Sequence, residues 1–331
     1  MNDLRHMRHA LALARRGLGN VWPNPAVGCV LVRDGVIVGR GWTQPGGRPH
    51  AEVRALMQAG EAARGATAYV TLEPCAHHGK TPPCAEALIR AGVSRVVSAL
   101  TDPDPRVAGR GHAMLREAGI TVTEDVCEAE ARELQRGFLN RIQLGRPMLT
   151  LKLAVSFDGR IATASGESQW ITGPDSRRHV HALRLAHDAV MVGGETARTD
   201  RPGLNVRGFG AVRQPVRVVV SSRPLPELPP EGAEHGPLWQ VSGAPEGFMA
   251  ELGARGLTRI FCEGGGVLAA SLLRAGLVDQ LIGYSAGVVL GGDARSGIGA
   301  LALDHLADAP RFHLAETRRI GPDLMHRWLR D

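Results

Sequence analysis

One histidine, one glutamate and two cysteines have the residue types and spacing of a catalytic zinc site. His50 and Glu52 lie at the start of a predicted helix, Cys75 follows a predicted strand, and Cys84 begins another helix directly after two prolines. An imidazole and two thiolates form a three-ligand set that suits Zn²⁺ and leaves a fourth position open. Zinc bound in this way lowers the pKa of water to about 7, which makes it a nucleophile at neutral pH.

Glu52 is the predicted proton carrier of this site. It is too close to His50 in sequence to be an easy fourth ligand, but it is well placed to pass a proton from water to a leaving group. The pattern H-x-E followed by P-C-x-x-C is typical of zinc-dependent nucleobase deaminases. The residues around His50 and Pro74-Cys75 fit that pattern, whereas Cys84 comes after eight intervening residues instead of two.

Other interpretations of the two cysteines compete with catalysis. Their spacing excludes a C-x-x-C redox pair, and an odd number of cysteines without a secretion signal favours a reducing compartment over a disulfide. A structural zinc site is the main rival, because His77 or His78 could supply a fourth ligand. The Pro-Cys dipeptide and the position of Glu52 favour the catalytic interpretation.

Length and composition indicate a two-domain protein with anionic partners. The chain has 331 residues, and its net charge of +6 favours phosphates, nucleotides or nucleic acid. The charges are dispersed and only 4% of the residues are aromatic, which disfavours nucleic acid. The sequence contains neither an apolar run of membrane-spanning length nor the apolar core of a signal peptide, so we expect a cytoplasmic protein without a membrane partner.

Strand and helix patterns alternate in both halves, which predicts layered α/β domains with partly parallel sheets. The pattern stops at the short polar link 143–147 and restarts with a strand. We therefore expect one domain at residues 1–145 and a second at 146–331. The Pro/Gly-rich stretch 223–237 is predicted to be an exposed loop.

The second half combines a lysine in the middle of a strand with a glycine-rich turn. Lys152 is either an edge-strand residue that prevents aggregation or a cation that faces a site. Residues 264–266 are three glycines between a strand and a helix, where backbone N–H groups can approach phosphates. A Rossmann site would also need an acid after the next strand, but Asp279 precedes that strand. We therefore expect a different nucleotide site, and NADP rather than NAD.

The sequence resembles the bifunctional deaminase–reductase family of riboflavin biosynthesis over nearly its whole length. In the first half the matching stretches are PNPAVG (23–28), PCAHHGKTPPC (74–84) and DPDPRVAG (102–109). The resemblance implies a cytidine-deaminase-like three-layer domain, in which the loop between the cysteines belongs to the site of a phosphorylated pyrimidine. The implied zinc ligands are His50, Cys75 and Cys84, with Glu52 as proton carrier. The implied substrate contacts are Asn24, whose amide can pair with the ring, His77, and Lys80 beside the phosphate.

In the second half the matching stretches are 151–162, 168–173, 192–207 and 263–266. They imply a dihydrofolate-reductase-like domain that binds NADPH. The implied cofactor contacts are Ala154, Trp170, Thr196, Asp200, Ser222, Gly265, Gly266, Val267, Leu268, Ala269, Ala270 and Ser271. The implied substrate contacts are Lys152, Ser168, Arg184, Leu204, Arg207 and Glu263. Of these, Arg184 and Arg207 could clamp the ribose phosphate. Glu195 and Arg201 depart from the family pattern.

The sequence thus predicts a two-domain enzyme with zinc and NADPH as cofactors. The first half would hydrolytically deaminate a diaminopyrimidinone ribonucleotide, and the second would reduce its ribosyl chain to ribityl. Two alternatives stay open: a nucleic-acid deaminase, such as a tRNA-editing enzyme, with an accessory nucleotide-binding domain, and a zinc-stapled binding protein without activity. The sequence also leaves open whether the chain forms a homo-oligomer.

Overall fold

The computed structural model describes residues 2–78, 82–104 and 108–330 of the chain. It divides into two units, Met1–Gly145 and Arg146–Asp331, and each has its own main sheet. No helix among the described residues has the length and apolar character needed to cross a bilayer.

The N-terminal unit consists of one five-stranded sheet and five α-helices among its described residues. In chain order its elements are α1 (Asn2–Ala14), β1 (Gly28–Arg33), β2 (Val36–Trp42), α2 (Ala51–Ala59), β3 (Thr67–Val70), α3 (Cys84–Arg90), β4 (Arg95–Ser98), α4 (Arg110–Glu117), β5 (Thr121–Thr123) and α5 (Glu128–Leu144). The strand order is β2-β1-β3-β4-β5. β1 and β2 form an antiparallel hairpin, whereas β3, β4 and β5 run parallel, so that their carboxyl ends meet at one edge.

A close contact between β2 and α2 fixes the start of that helix. A Cβ atom at Gly41 would lie 2.1 Å from the carbonyl oxygen of Ala51, so only glycine leaves room for the helix here. Ala51 and Ala55 are fully buried against the sheet. His50 and Glu52, which flank Ala51, are therefore held rigidly relative to the strands.

The C-terminal unit is built around an eight-stranded mixed sheet. In chain order its elements are β6 (Met148–Ser156), β7 (Arg160–Ala162), α6 (Pro174–Leu185), β8 (Ala189–Gly193), α7 (Gly194–Asp200), β9 (Val216–Val220), β10 (Leu238–Val241), α8 (Pro245–Ala254), β11 (Arg259–Cys262), α9 (Gly266–Arg274), β12 (Gln280–Ala286), β13 (Arg295–Ser296), β14 (His313–Ile320) and β15 (Asp323–Leu329). The strand order is β10-β9-β8-β11-β6-β12-β15-β14, and the first six of these are parallel. β7 and β13 form a separate two-stranded sheet.

The sheet corrects one sequence interpretation. β6 has β11 on one side and β12 on the other, so it is a central strand. Lys152 therefore cannot be an edge-strand residue, and that alternative is wrong.

Sequence patterns missed three helices, α6, α7 and α8. Two of them begin with Pro174 and Pro245, which occupy the first helical turn, where proline is favoured. These prolines were the available signal, whereas the buried faces are short: α6 buries only Ser176 and Val180. The stretch 223–237 contains no helix and is largely exposed, as predicted.

A neutral histidine is buried against the central strand β6. His187 is 4% exposed, and its Nδ1 lies 2.7 Å from the carbonyl oxygen of Leu183. Since a carbonyl only accepts, Nδ1 carries the proton and Nε2 accepts from the Thr150 hydroxyl at 3.1 Å. Burial lowers the pKa of His187 to about 3.

This histidine should make the chain sensitive to acid. Because the folded-state pKa lies below the ordinary value of 6.5, its contribution to stability is complete above pH 6.5 and is lost as the pH falls toward 3. We expect the urea midpoint to fall more between pH 7 and pH 4 in the wild-type chain than in His187→Gln, because glutamine cannot become charged. His305→Gln, at an exposed position, is the matched control and should behave as wild type. Equal falls in wild type and His187→Gln would contradict the prediction.

Candidate functional site

His50, Cys75 and Cys84 converge at the carboxyl edge of the N-terminal sheet. His50 directly precedes α2, Cys75 follows β3, and Cys84 is the first residue of α3. His50 Nδ1 lies 3.3 Å from Cys84 Sγ and 3.7 Å from Cys75 Sγ. Zinc–nitrogen and zinc–sulfur bonds at tetrahedral angles place neighbouring ligand atoms about 3.5 Å apart. All three ligand atoms lie within 4.8 Å of one another, so the cluster has the dimensions of a tetrahedral zinc site.

The two thiols are already arranged as a ligand pair. A hydrogen bond from Cys84 lowers the pKa of Cys75 to about 4, and the same interaction raises the pKa of Cys84. The Cys84 backbone N–H also donates to Cys75 Sγ at 3.3 Å. A lowered pKa favours the thiolate of Cys75, the form that binds metal.

Glu52 is buried beside this cluster in the first turn of α2. Burial raises its pKa to about 6, although the nearby His50 opposes that rise. A carboxyl group with a pKa near neutrality can both accept and release protons.

A cavity of about 330 Å³ opens next to the cluster and contains two of the predicted substrate contacts. Asn24 lines it, and its side chain packs directly against Gly47. His77 also lines it, and its buried Nδ1 has no hydrogen-bond partner within the described part of the chain. A buried polar atom without a partner is the expected feature of a ligand-binding wall. Lys80 lies outside the described residues.

The structure separates the two histidines that the sequence could not rank. His78 is exposed and its Nε2 lies 2.8 Å from Glu86 Oε1, whereas His77 faces the cavity. Neither belongs to the metal-ligand cluster found among the described residues. The geometry therefore does not support a structural zinc site with one of them as fourth ligand.

The cavity also includes charged residues to which the sequence assigned no role. They are Arg48, Glu73, Asp102, Asp104 and Arg141. The DPDP stretch was noticed as a family-like motif, which was the only sequence signal for two of them.

In the C-terminal unit, a cleft of about 600 Å³ brings together all six predicted substrate contacts. Three of them form a largely buried charge cluster: Lys152 lies in the middle of β6, Arg184 in the last turn of α6, and Glu263 directly after β11. Glu263 Oε1 accepts from Arg184 Nε at 2.5 Å, and its Oε2 lies 3.8 Å from Lys152 Nζ. Burial alone would raise the pKa of Glu263, but the two cations lower it, while burial lowers the pKa of Lys152. One carboxylate is thus shared by two cations.

The predicted cofactor contacts fall into two groups. Ala154, Trp170 and Asp200 line the same cleft, and the remainder lie outside its lining. Thr196 approaches the glycine turn, since its Oγ1 is 3.5 Å from the position of a Cβ at Gly265. The remaining members are exposed Ser222 and the first residues of α9, Gly266, Val267, Leu268, Ala269, Ala270 and Ser271.

Burial limits what some of these residues can touch. Ala269 is fully buried and Ala270 nearly so, so their side chains face the core. Ser222 is exposed, while the adjacent Ser221 is buried and donates its hydroxyl to the carbonyl oxygen of Arg223.

The two departures from the family pattern do not enter the cleft lining. Glu195 lies at the surface with its carboxylate 3.3 Å from Arg198 and 3.6 Å from Arg223. Arg201 is an exposed residue that ends α7.

Sequence patterns missed several residues of the cleft. They did not indicate the helix α6, and they did not show that the Pro-rich loop 223–237 reaches the cleft. Arg177 on α6 stacks over the Trp170 ring at 4.7 Å, and His181 on the same helix also lines the cleft. His235 reaches it from the Pro-rich loop. Recognition of Pro174 as a helix start would have indicated the two residues on α6.

Comparisons with known proteins agree with this two-part architecture. Residues 1–100 match the family model for the cytidine and deoxycytidylate deaminase zinc-binding region, and residues 147–326 match the RibD C-terminal domain. The riboflavin biosynthesis protein RibD of Escherichia coli K12 is 45% identical over 98% of both chains. Its Haemophilus influenzae counterpart is 45% identical over 97% of this chain and 96% of its own.

Solved structures resemble the chain over both units. Acinetobacter baumannii RibD in form 1 has a TM-score of 0.89 and 40% identity, covering 99% of this chain and 98% of its own. A diaminohydroxyphosphoribosylaminopyrimidine deaminase/5-amino-6-(5-phosphoribosylamino)uracil reductase from Thermotoga maritima has a TM-score of 0.86 and 32% identity, covering 99% of both chains. These similarities agree with the predicted deaminase-like and dihydrofolate-reductase-like folds.

The three-ligand geometry predicts one tightly held zinc ion per chain. We expect Cys75→Ser to lose most of that zinc, because a serine hydroxyl is a much poorer zinc ligand than a thiolate. Cys127→Ser, which changes a half-buried cysteine outside the cluster, is the matched control and should keep it. Metal content after dialysis against a weak chelator, measured by plasma mass spectrometry, checks this. Full zinc retention in Cys75→Ser would contradict the proposed ligand set.

Proposed function

The chain belongs to the RibD family of riboflavin-biosynthesis proteins, and we propose that it acts on a phosphorylated diaminopyrimidine nucleotide in two successive steps. It is a bifunctional enzyme with a zinc-binding deaminase region and a reductase domain. In our proposal, the first half replaces a ring amine by a carbonyl, and the second uses NADPH to reduce the ribosyl chain to ribityl. The observation that carries this proposal is the convergence of His50, Cys75, Cys84 and Glu52 at one small cavity.

The nucleic-acid deaminase alternative is not favoured. It would explain the zinc-binding region, but it assigns no reaction to the second half. The RibD relatives match over both halves, and the second half matches a family model of its own.

In the deaminase half, we assign the metal ligands to His50, Cys75 and Cys84 and proton transfer to Glu52. Zinc, when bound, supplies a Lewis acid that activates water for attack on the ring. Glu52 takes a proton from that water and delivers it to the amine, which leaves as ammonia. Burial of Glu52 supports this role, because it excludes bulk water from the proton path.

Two cavity residues are suited to hold the nucleotide. Asn24 offers both a donor and an acceptor to a pyrimidine edge, and its packing against Gly47 limits its movement. The Nδ1 of His77, which has no hydrogen-bond partner among the described residues, is available for a polar group of the ligand. We also assign Lys80 to the phosphate, on the family resemblance alone.

In the reductase half, we assign substrate binding to the basic cleft. Its lining carries four arginine or lysine side chains and three carboxylates. Of the carboxylates, Glu263 lies against Lys152 and Arg184, while Arg207 also lines the cleft. The resulting positive charge suits a phosphorylated ligand, with Ser168 and Leu204 completing the substrate contacts.

We assign NADPH to the side of the cleft that leads to the glycine turn. Backbone N–H groups at the start of α9 can receive a phosphate, with Thr196 next to Gly265 and Ser222 two residues after the end of β9. Trp170, Asp200 and Ala154 would extend this surface into the cleft, toward the sugar to be reduced. Within α9 only the backbone of Ala269 and Ala270 would be involved, because their side chains face the core.

Glu52→Gln tests the deaminase mechanism. Glutamine has the same shape but cannot carry the proton, so we expect kcat for ammonia release to fall by a factor of roughly 10² to 10⁴. Zinc content and the rate of NADPH oxidation with the deaminated product should match wild type. Undiminished ammonia release would contradict the role of Glu52.

Lys152→Met tests the reductase assignment. Loss of the cation leaves Glu263 with Arg184 alone and lowers the positive charge of the cleft, so we expect kcat/KM for the deaminated product to fall at least about tenfold. Ammonia release should stay at the wild-type rate, which provides the internal control. An unchanged NADPH oxidation rate would exclude Lys152 from substrate binding.

A further inference from the structure

Both carboxylate oxygens of the buried Glu73 are occupied by backbone N–H groups. Oε2 accepts from Asp102 at 3.1 Å and from Gly109 at 2.9 Å. Oε1 accepts from Gly111 at 2.8 Å and from His112 at 3.3 Å. Glu73 itself is only 3% exposed. One side chain thus accepts hydrogen bonds from four backbone N–H groups. All four donors lie between Asp102, which follows β4, and His112 in the first turn of α4.

Part of this arrangement replaces a missing helix cap. The N-cap residue of α4 is Gly109, at a φ of 83°, and it has no side chain to bond the free N–H groups of the first turn. Gly111 and His112 are the second and third helical residues, and both donate to Glu73 instead. The negative charge also lies at the positive end of the helix dipole.

The same carboxylate connects two walls of the deaminase cavity. Glu73 lies two residues before the proposed zinc ligand Cys75, and both line the cavity. On the other side, Asp102 and Asp104 line the cavity, and the Asp104 N–H donates to Asp102 Oδ1 at 2.9 Å. The position of these two aspartates relative to the metal ligands therefore depends on the hydrogen bonds of Glu73.

The first turn of α4 also packs directly on the peptide before Cys75. A Cβ atom at Gly111 would lie 2.0 Å from the carbonyl oxygen of Pro74, so any larger residue would push α4 away from the ligand loop. This close contact fixes the distance between α4 and the peptide that precedes Cys75.

We propose that Glu73 is a positioning residue of the deaminase half, which fixes the wall formed by Asp102 and Asp104 at its working distance from the zinc ligands. The inference rests on the proposed function of this cavity. Glu73 touches no reacting atom in this scheme, and it acts on substrate binding through the backbone that it holds.

α4 has anchors that do not involve Glu73, so a variant can fold. His112 Nε2 lies 2.9 Å from the Ser98 hydroxyl. Leu115 is fully buried in the core of the unit. Loss of the Glu73 bonds is therefore expected to shift the cavity wall without detaching the helix.

Glu73→Gln is the principal test. Its amide NH₂ would face two of the four N–H donors, which removes their acceptor and the negative charge. We expect KM for deamination of the diaminopyrimidine nucleotide to rise at least tenfold and kcat to fall less than threefold. Zinc content and NADPH oxidation with the deaminated product should equal those of the wild type. Glu73→Asp, which keeps the charge, should restore part of the KM change.

Glu128→Gln is the matched control, because it removes a carboxylate from an exposed pair with Arg132 in the same unit. It should leave both activities unchanged. An unchanged KM in Glu73→Gln, a loss confined to kcat, or loss of zinc or of the folded N-terminal unit would each overturn the positioning role. If the wild-type chain itself released no ammonia from the nucleotide, the proposed function would fail instead.

Discussion

Buried charge must be compensated by nearby partners, and both proposed sites depend on this constraint. An ionised carboxylate inside a protein is strongly disfavoured unless hydrogen bonds or opposite charges surround it. Glu73 and Glu263 both follow parallel strands at the carboxyl edge of their sheets, where the chain leaves the core. Glu73 is almost completely buried and is bonded on both oxygens, whereas Glu263 is largely buried and lies between two cations. These partners fix the neighbouring backbone and side chains as firmly as apolar packing does.

The two units compensate these buried carboxylates with different kinds of partner. In the N-terminal unit, the partners of Glu73 are neutral backbone N–H groups, so no cation is needed to compensate this carboxylate. In the C-terminal unit, Glu263 has cations as partners, and these keep a net positive charge in the cleft. The N-terminal cavity has its cations, Arg48 and Arg141, elsewhere in its lining, whereas the cations that compensate Glu263 are themselves part of the C-terminal cleft.

Local spacing was sufficient to predict the deaminase cluster, because His50, Glu52, Cys75 and Cys84 lie at element ends that the sequence marks with prolines and apolar patterns. The pairing of strands that are far apart in the chain could not be predicted from local sequence patterns. The central position of β6 depends on β11 and β12, which come more than one hundred residues later in the chain. The anchoring of α4 by Glu73 was also invisible, since its four partners are backbone N–H groups, which every non-proline residue carries.

In the proposed function, the eight residues between Cys75 and Cys84 bind the substrate, while the two cysteines bind the metal. Cys75 lies on the loop after β3 and Cys84 starts α3, so the metal is approached from two elements rather than from one short turn. Two adjacent residues between the cysteines point in different directions. His77 faces the cavity, whereas His78 pairs with Glu86 outside it. A two-residue gap would bring both ligands from the start of one helix and leave no segment to form that wall. In the proposed scheme, the insertion supplies the zinc cluster with a ligand-binding segment, and Glu73 fixes the wall formed by Asp102 and Asp104.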